Sequence, residues 1–157
     1  MDSFLIKGPS KLNGEVDISG SKNAALPIMT ACLAKPGVYR LKNVPNLRDT
    51  RTMIRLLKII GSKVSFNNSN ITIDTTNCDN PEAPYELVKT MRASFYVLGP
   101  LLSRFEYSKV SLPGGCAWGP RPIDYRLKAF ESLGAQVTLR SGYIVTKGKL
   151  KGNVIKL

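Results

Sequence analysis

Histidine is missing from all 157 residues of the chain. Because histidine is the commonest general base and the commonest nitrogen ligand for metals, proton transfer here must use a cysteine, lysine, tyrosine or carboxylate. The chain also lacks a Cys-x-x-Cys pair, since its three cysteines, Cys32, Cys78 and Cys116, stand far apart. This spacing predicts free thiols and no zinc site.

Long apolar runs are missing as well. The best candidate, residues 24–34, is interrupted by Pro27 and Thr30 and is shorter than the roughly 18 residues that a membrane span needs. The start of the chain, residues 1–4, has neither the basic region nor the apolar run of a secretory leader. We therefore expect a cytoplasmic protein with one ordinary folded core.

Acidic residues are scarce, with 11 against 23 lysines and arginines and a net charge of +12. Such an excess favours anionic partners, and composition alone does not choose among nucleic acid, phospholipid and phosphorylated metabolites. A basic nucleic-acid module is one alternative, based on a helical stripe of Arg48, Arg51, Arg55 and Lys58. The stripe lacks interleaved aromatic residues, and an ordinary solvent-facing helix explains it better.

Hydrophobic periodicity, broken by glycine and proline, predicts an α/β (α+β) chain. Two strand-like runs come first, at residues 4–7 and 15–19. A first block follows, with helix 22–34, strand 38–43, helix 47–60 and strands 63–66 and 71–75. A second block has a long helix 85–105 kinked at Gly99-Pro100, strand 109–112, helix 122–133 and strands 136–140 and 143–147.

The two blocks form an internal repeat of helix–strand–helix–strand–strand, at about residues 20–76 and 85–148. Matching residues keep one offset of 73 positions, in the pairs Gly61 and Gly134, Val64 and Val137, and Ile71 and Ile144. A repeated unit of this kind buries one face against its neighbours. Two copies are therefore expected to be part of a larger ring.

One loop stands out as a site for chemistry. Residues 111–121 read Ser-Leu-Pro-Gly-Gly-Cys-Ala-Trp-Gly-Pro-Arg, so three glycines and two prolines surround Cys116. Backbone N–H groups in such a loop are available to an anion, and Arg121 with the following helix start favours a thiolate. A lone cysteine is more often a small buried apolar residue, but the glycines and the arginine favour a reactive Cys116.

Two further segments place polar residues at helix surfaces. In Ser19-Gly20-Ser21-Lys22-Asn23, Ser21 is a predicted N-cap, which puts Lys22 and Asn23 at the positive end of a helix where phosphate or carboxylate binds. A capped helix with an exposed lysine is the simpler alternative. Lys89 and Arg92 lie one turn apart on the long helix, and there a solvated surface is the simpler alternative.

Three motifs, in this order, resemble the UDP-N-acetylglucosamine enolpyruvyl transferase family. They are Gly-Ser-Lys-Asn-Ala-Ala-Leu-Pro at 20–27, Leu-Val-Lys-Thr-Met-Arg-Ala-Ser at 87–94, and Leu-Pro-Gly-Gly-Cys at 112–116 followed by Arg-Pro-Ile-Asp at 121–124. The resemblance covers essentially the whole chain, as the N-terminal portion of the family. The related shikimate-pathway transferase is less similar, because its segments lack Lys-Asn-Ala-Ala-Leu-Pro and the Gly-Gly-Cys loop.

The resemblance implies an inside-out α/β barrel, with two domains of three repeat units each and the substrates in the cleft between them. The implied reaction moves enolpyruvate from phosphoenolpyruvate to the 3′-hydroxyl of UDP-N-acetylglucosamine and releases phosphate, as the first committed step of peptidoglycan synthesis. No metal and no organic cofactor are implied. Both substrates are polyanions, which agrees with the basic composition, and neither nucleic acid nor a membrane is expected as a partner.

The resemblance also implies roles for single residues. Cys116 matches the family's proton donor, which forms a covalent adduct with phosphoenolpyruvate. Lys22 and Arg121 match positions that neutralise the phosphate and carboxylate of that substrate, and Asn23 and Arg92 match positions around the UDP-sugar. A nucleotide-binding segment is matched by Arg121, Pro122, Ile123, Asp124 and Tyr125. Tyr125 stands where many relatives have histidine, which leaves its contacts with the nucleotide open.

The chain has about a third of the family's length. In relatives, the carboxylate that deprotonates the sugar hydroxyl and another phosphoenolpyruvate-binding arginine lie in the part that is missing here. Residues 1–18 match strands that complete the second domain, and residues 19–157 match part of the first. We therefore expect a fragment that turns over little or not at all by itself. The alternative is a truncated relative that binds anions or UDP-sugar without turnover.

Overall fold

A computed structural model describes residues 3–89, 91–112 and 123–155. Each block of the chain builds helices on one side of an antiparallel or mixed sheet. The helices are α1 (Lys22–Ala31), α2 (Arg48–Ile59), α3 (Tyr85–Val88), a 3₁₀ helix (Arg92–Val97), α4 (Leu98–Phe105) and α5 (Asp124–Ser132). The strands are β1 (Val38–Leu41), β2 (Lys63–Asn67), β3 (Asn70–Asp74), β4 (Glu82–Ala83), β5 (Tyr107–Ser111), β6 (Gln136–Arg140) and β7 (Tyr143–Lys147).

The two sheets repeat one arrangement. The first has the order β1-β3-β2 and the second β4-β5-β7-β6, with every pair antiparallel except β4 and β5. Each sheet contains a hairpin with a two-residue turn at positive φ, Asn68-Ser69 in the first and Ser141-Gly142 in the second. Such turns match the twist of the flanking strands. The turns are 73 positions apart, so the offset seen in the sequence is also the offset of the hairpins.

Helix α2 shows why these residues become helical. Its apolar residues recur at the helical period, and Met53, Leu56 and Leu57 are buried, while the predicted stripe of Arg48, Arg51, Arg55 and Lys58 lies on the exposed side. The helix begins where the Leu47 N–H donates to Thr50 Oγ1. The stripe is therefore the solvent-facing side of an ordinary amphipathic helix, which was the alternative to a nucleic-acid-binding stripe.

The predicted long helix 85–105 is wrong. The chain forms α3, then extended backbone at Met91 with φ −149°, then the 3₁₀ helix and α4. The expected kink at Gly99-Pro100 is also wrong, because Pro100 occupies the third position of α4. In the first turn of a helix the N–H groups have no intrahelical acceptor, so proline costs no hydrogen bond there.

The two predicted N-terminal strands are wrong too. Residues 3–19 form no strand with any other described residue. Six of their apolar side chains are 79 to 96% exposed: Phe4, Leu5, Ile6, Leu12, Val16 and Ile18. An apolar or alternating run becomes a strand only when another strand exchanges hydrogen bonds with it, and none of the described strands does so here.

Smaller differences concern element ends. Helix α1 ends at Ala31 rather than residue 34, because the N–H groups of Leu33 and Ala34 donate to Thr30 and Ala31 and tighten the last turn. Strand β4 was not predicted, since two residues are too short to carry a pattern. None of the described helices combines the length and the apolar content that a bilayer crossing requires.

One apolar core joins both blocks. It receives α1, α2, the 3₁₀ helix and α4 from the helical side and the inward residues of β3, β5 and β7 from the sheets. Thr75 is fully buried directly after β3 and connects that strand with the segment that follows α1. Its hydroxyl lies 3.1 Å from the carbonyl oxygens of Cys32 and Lys35 and 3.3 Å from that of Gly37, and it donates its one proton among them.

Replacement of this hydroxyl should therefore destabilise the chain. We expect Thr75→Val to lower the free energy of unfolding by about 1–3 kcal/mol, because it removes the hydroxyl that donates to the carbonyl oxygen of the buried Cys32. Urea unfolding followed by circular dichroism measures the change. Thr72→Val, at a half-exposed position of β3 whose side chain makes no hydrogen bond with the described residues, should change it by less than about 0.5 kcal/mol. Equal effects of the two substitutions would contradict the role given to Thr75.

Candidate functional site

The start of α1 is fixed by a close backbone contact. A Cβ atom on Gly20 would lie 1.7 Å from the carbonyl oxygen of Asn43, so no other residue fits without a shift of the backbone. The Gly20 N–H donates to Asn43 Oδ1 at 2.9 Å, and the Asn43 amide donates to the Ile18 carbonyl oxygen at 3.4 Å. Asn43 itself has a positive φ of 55°. This contact sets the direction in which the chain enters α1.

Lys22 is the first residue of α1, as the sequence predicts. Its Nζ lies 2.9 Å from Oδ2 of Asp49, in the first turn of α2, and the two side chains are 45% and 31% exposed. An ion pair at this exposure contributes no more than about 1 kcal/mol to stability. Its effect is geometric, because it directs a flexible ammonium toward the end where both helices begin.

The neighbours of Lys22 leave this end of α1 open to solvent. Ser21 has the extended backbone of an N-cap residue, but its side chain makes no capping hydrogen bond, so the predicted cap is confirmed in position only. Asn23 is exposed and makes no side-chain hydrogen bond with the described residues. A cavity of about 400 Å³ lies alongside, lined in part by Gly20, Ser21 and Arg40. Lys22 and Asn23 are therefore accessible to a ligand.

The 3₁₀ helix has neighbours from distant parts of the chain. It belongs to the second motif, and α1, which carries the first, contacts it directly. On another side, the guanidinium of Arg126 in α5 lies 4.9 Å from the ring centre of Tyr96 and 5.9 Å from that of Phe95. Helix α5 also approaches α4, because a Cβ on Gly99 would touch the Phe130 ring at 3.4 Å. Segments far apart in sequence thus share one neighbour.

The third motif is described only from its end. Ile123 is the N-cap residue of α5, Asp124 is its first residue, and both Asp124 and Tyr125 are exposed, Tyr125 by 58%. Three predicted site residues, Cys116, Arg121 and Pro122, lie outside the described residues, as does the side chain of Arg92. Their predicted roles stay predictions.

The other two cysteines are structural. Cys32 and Cys78 are buried, and neither forms a disulfide. Cys32 Sγ donates to the Ile28 carbonyl oxygen at 3.3 Å, and Cys78 Sγ lies 3.1 Å from Ser62 Oγ. Burial raises the pKa of the Cys32 thiol above its ordinary value, which keeps it protonated and unreactive. Among the described residues, no group of three or more cysteine or carboxylate side chains could hold a metal ion.

Asp49 and Asn43 are the residues that sequence reasoning missed. Asp49 stands 27 positions after Lys22, and Asn43 stands 23 positions after Gly20, so neither pair has the spacing of a local motif. The only sequence signal for Asp49 was an acidic residue in the first turn of α2. A carboxylate there also stabilises the helix by itself, so it does not indicate a partner. The pairing needs the fold that places α1 beside α2.

The contact at Gly20 makes a prediction that a matched glycine can control. We expect Gly20→Ala to lower the free energy of unfolding by about 1–3 kcal/mol, because the new methyl group meets backbone rather than a mobile side chain. Gly37→Ala places a methyl group at an ordinary 3.5 Å from the Tyr39 ring and should change it by less than about 0.5 kcal/mol. Chemical denaturation of both variants measures the difference. A Gly20→Ala protein as stable as Gly37→Ala would contradict the close contact.

Comparison with known proteins gives one consistent relationship. The family model of EPSP synthase (3-phosphoshikimate 1-carboxyvinyltransferase) matches residues 6–157. A curated protein of Acinetobacter guillouiae, UDP-N-acetylglucosamine 1-carboxyvinyltransferase, is 52% identical over 157 residues, covering 99% of this chain and 38% of the relative. A protein of the same name from Geotalea uraniireducens is 54% identical over 153 residues, covering 97% of this chain and 37% of the relative. The chain thus spans somewhat more than a third of these relatives' length.

Solved structures support the same fold. The enolpyruvyl transferase NikO from Streptomyces tendae superposes with a TM-score of 0.76 at 22% identity, over 92% of this chain and 32% of that one. EPSP synthase from Acinetobacter baumannii gives 0.63 at 18% identity, over 89% and 33%. At these identities the similarity concerns the fold alone. It confirms the predicted α/β architecture of the enolpyruvyl transferases for the portion of that fold that the chain spans.

Proposed function

This chain belongs to the EPSP synthase (3-phosphoshikimate 1-carboxyvinyltransferase) family, and we propose that it forms part of a UDP-N-acetylglucosamine 1-carboxyvinyltransferase. The observation that carries the proposal is identity of 51 to 54% along nearly the whole chain with proteins of that name. The proposed reaction transfers enolpyruvate from phosphoenolpyruvate to the sugar 3′-hydroxyl, releases phosphate and serves peptidoglycan synthesis. A cytoplasmic location belongs to the same proposal.

Each proposed residue meets a requirement of the reaction. Addition of an alcohol to an enol phosphate requires a proton on the methylene carbon while positive charge builds on the neighbouring carbon. Cys116 is the proposed proton donor, and Lys22 and Arg121 are proposed to neutralise the phosphate and carboxylate of phosphoenolpyruvate. Asn23 and Arg92 are proposed to contact the UDP-sugar.

The geometry at Lys22 supports its proposed role. An ammonium group has three N–H donors, and the contact with Asp49 uses one of them. The remaining donors are directed by that contact while the side chain stays 45% exposed to an incoming phosphate. Two helix N-termini at the same end add their positive dipole ends, which favours an anionic substrate.

The start of α5 supports a different task for the proposed nucleotide segment of Arg121, Pro122, Ile123, Asp124 and Tyr125. The carboxylate of Asp124 accepts hydrogen bonds and repels phosphate, so it suits the uracil N–H or a ribose hydroxyl rather than the diphosphate. The exposed Tyr125 ring offers a face for the base. Replacement of the family's usual histidine by tyrosine keeps an aromatic group here and removes a group that can titrate near neutral pH.

Uncovered apolar surface supports the proposal that more of an inside-out barrel packs on this chain. Leu139 of β6 is 64% exposed although it pairs with the buried Ile144, and six apolar side chains of residues 3–19 are exposed as well. We propose that residues 1–18 complete a second domain and that residues 19–157 belong to the first. The backbone of residues 3–19 would then pair with strands of that second domain, and its exposed apolar side chains would pack against that domain.

Alkylation of cysteine tests the proposed site directly. We expect iodoacetamide to label Cys116 in a full-length version of the enzyme, and phosphoenolpyruvate with UDP-N-acetylglucosamine to slow that labelling. Peptide mass spectrometry reports each thiol, and the buried Cys32 and Cys78 serve as internal controls that should label slowly in both conditions. Unchanged labelling of Cys116 with both substrates present would overturn its assignment.

Fosfomycin and phosphate release separate the enzyme from its alternative. We expect fosfomycin to add covalently to Cys116 in a full-length version, as a mass shift that Cys116→Ser abolishes. Phosphate release by the 157-residue chain should be absent or very slow, because the proposed sugar-deprotonating carboxylate lies outside it. A full-length protein that binds UDP-sugar but releases no phosphate would instead support a binding module without turnover.

The proposed packing of residues 3–19 makes a separate prediction. In the 157-residue chain we expect trypsin to cleave rapidly after Lys7 and Lys11, because these residues lie in exposed backbone. In a full-length version, both sites should be protected by strand pairing. Lys63, within strand β2 of the same chain, serves as the control that resists cleavage in both proteins. Equal cleavage after Lys7 in the two proteins would argue against a second domain built on this segment.

A further inference from the structure

The second sheet has an outward face with an unusual set of side chains. Alternation along the strands turns Val110 and Ile144 into the core and turns the neighbouring residues of β5, β6 and β7 outward. A cavity of about 580 Å³ lies over this face. It is lined by Tyr107, Lys109, Gln136, Thr138, Arg140, Ser141, Tyr143, Val145 and Lys147. We call these residues the outer face of the second sheet.

The first sheet provides a comparison within the same chain. Its strands pair in the same way, so each outward residue has a counterpart in the second sheet. Val38 and Asn70 stand where the second sheet has Tyr107 and Tyr143, and Asn67 and Asp74 stand where it has Arg140 and Lys147. The scaffold alone thus requires neither the aromatic rings nor the added positive charge of the second sheet.

The charges of the outer face are only partly balanced. Lys109 Nζ lies 3.0 Å from Glu82 Oε2, and this contact raises the pKa of Lys109 above its ordinary value. Arg140 and Lys147 form no ion pair with any described residue, and Lys147 rests over the Tyr107 ring at 5.7 Å. Two cations are therefore available to an anion beside two aromatic rings, which is the chemistry of a base with its phosphate.

The strand register sets the minimum length of such a ligand. Tyr107 pairs with Lys147, and Ser111 pairs with Tyr143, so the two tyrosines are four residues apart along the sheet. At about 3.4 Å a residue, this separation is about 14 Å. A single base cannot reach both rings, whereas a strand of several nucleotides can.

We propose that the outer face of the second sheet binds single-stranded nucleic acid. Bases stack on Tyr107 and Tyr143, and Arg140 and Lys147 hold the phosphates between and beside them. Lys147 lies 5.7 Å from the Tyr107 ring centre and Lys109 lies 5.1 Å from that of Tyr143. Both ammonium groups move aside when bases stack, because a cation–π contact at an exposed site is weak. This binding is separate from the proposed transferase reaction, and it departs from the expectation that nucleic acid is not a partner.

The test is fluorescence anisotropy of the whole 157-residue chain with a labelled oligouridylate of about eight nucleotides, within the usual site sizes of roughly 4–16. We expect Tyr107→Leu and Tyr143→Leu each to weaken binding by at least about fivefold, since leucine keeps apolar bulk but offers no aromatic face. Tyr107→Phe and Tyr143→Phe should bind like the unchanged chain. Circular dichroism checks that each variant is folded.

Charge substitutions on the two sheets provide the matched control. Lys147→Ala should weaken binding and lower the slope of log affinity against log salt by about 0.7, the value for one phosphate contact on a single strand. Lys63→Ala removes the same charge from the outward side of the first sheet and should leave that slope unchanged. Equal effects of the two substitutions would mean that binding follows net charge, and would overturn the proposal.

Competition with unlabelled molecules identifies the class of ligand that the outer face binds. Unlabelled oligouridylate should displace the probe, while uridine monophosphate and polyglutamate at the same charge concentration should not. Displacement by polyglutamate would show a surface for acidic protein segments, and displacement by the mononucleotide would show a small-molecule site. Either result would overturn the assignment to a nucleic-acid strand, as would binding that survives both tyrosine-to-leucine changes.

Discussion

The contact between Gly20 and the backbone of Asn43 decides where the candidate site begins. A side chain at position 20 would overlap the Asn43 carbonyl oxygen, so the approach of these two segments depends on glycine. From there α1 runs into the core through Leu26 and Met29, while Lys22 stays at the exposed end next to Asp49 of α2. The position of the ammonium therefore follows from a backbone contact, and the weak ion pair only refines it.

The core explains why distant segments meet. Helices α1, α2 and α4 and the 3₁₀ helix bury one side against the inward residues of both sheets, and this leaves the first turns of α1 and α2 in solvent. Helix α5 lies at the edge of this core: Leu127 and Phe130 pack against it half-buried, and Arg126 lies over the Tyr96 ring. None of its residues is fully buried. The exposed apolar side chains of residues 3–19 and of Leu139 in β6 are the surfaces on which the proposed remainder of the enzyme would pack.

The internal repeat shows how one scaffold carries two different surfaces. The inward residues of β3 and β7 stay buried at the same offset, in the pairs Ile71 with Ile144 and Ile73 with Thr146. Their outward residues are under no such constraint, because they contact solvent rather than core. Asp74 of one sheet could therefore be replaced by Lys147 of the other without loss of the hairpin, and the two outer faces acquired different charge and aromatic content.

Much of the architecture could be read from local pattern. The ends of β6 and β7 agree with the prediction, and those of α2 and β2 differ by one residue, because period and turn chemistry act within a few residues. The predictions failed where the outcome depends on distant partners. Residues 4–7 are apolar and residues 15–19 alternate like a strand, but neither run has a described strand to pair with. The segment from 85 to 105 breaks at Met91 because tertiary packing outweighs helical spacing there.

By itself the sequence determined the family, the repeat and the candidacy of Lys22 and Asn23, since each of these follows from residue type and spacing. Only the tertiary structure decided that Asp49 pairs with Lys22 and that the Gly20 N–H donates to Asn43. It also decided that Tyr107 and Tyr143 share one open face with Lys147. The physical reason is the same in each case. These contacts join residues 23 to 40 positions apart, and packing of helices and pairing of strands, rather than any local signal, bring them together.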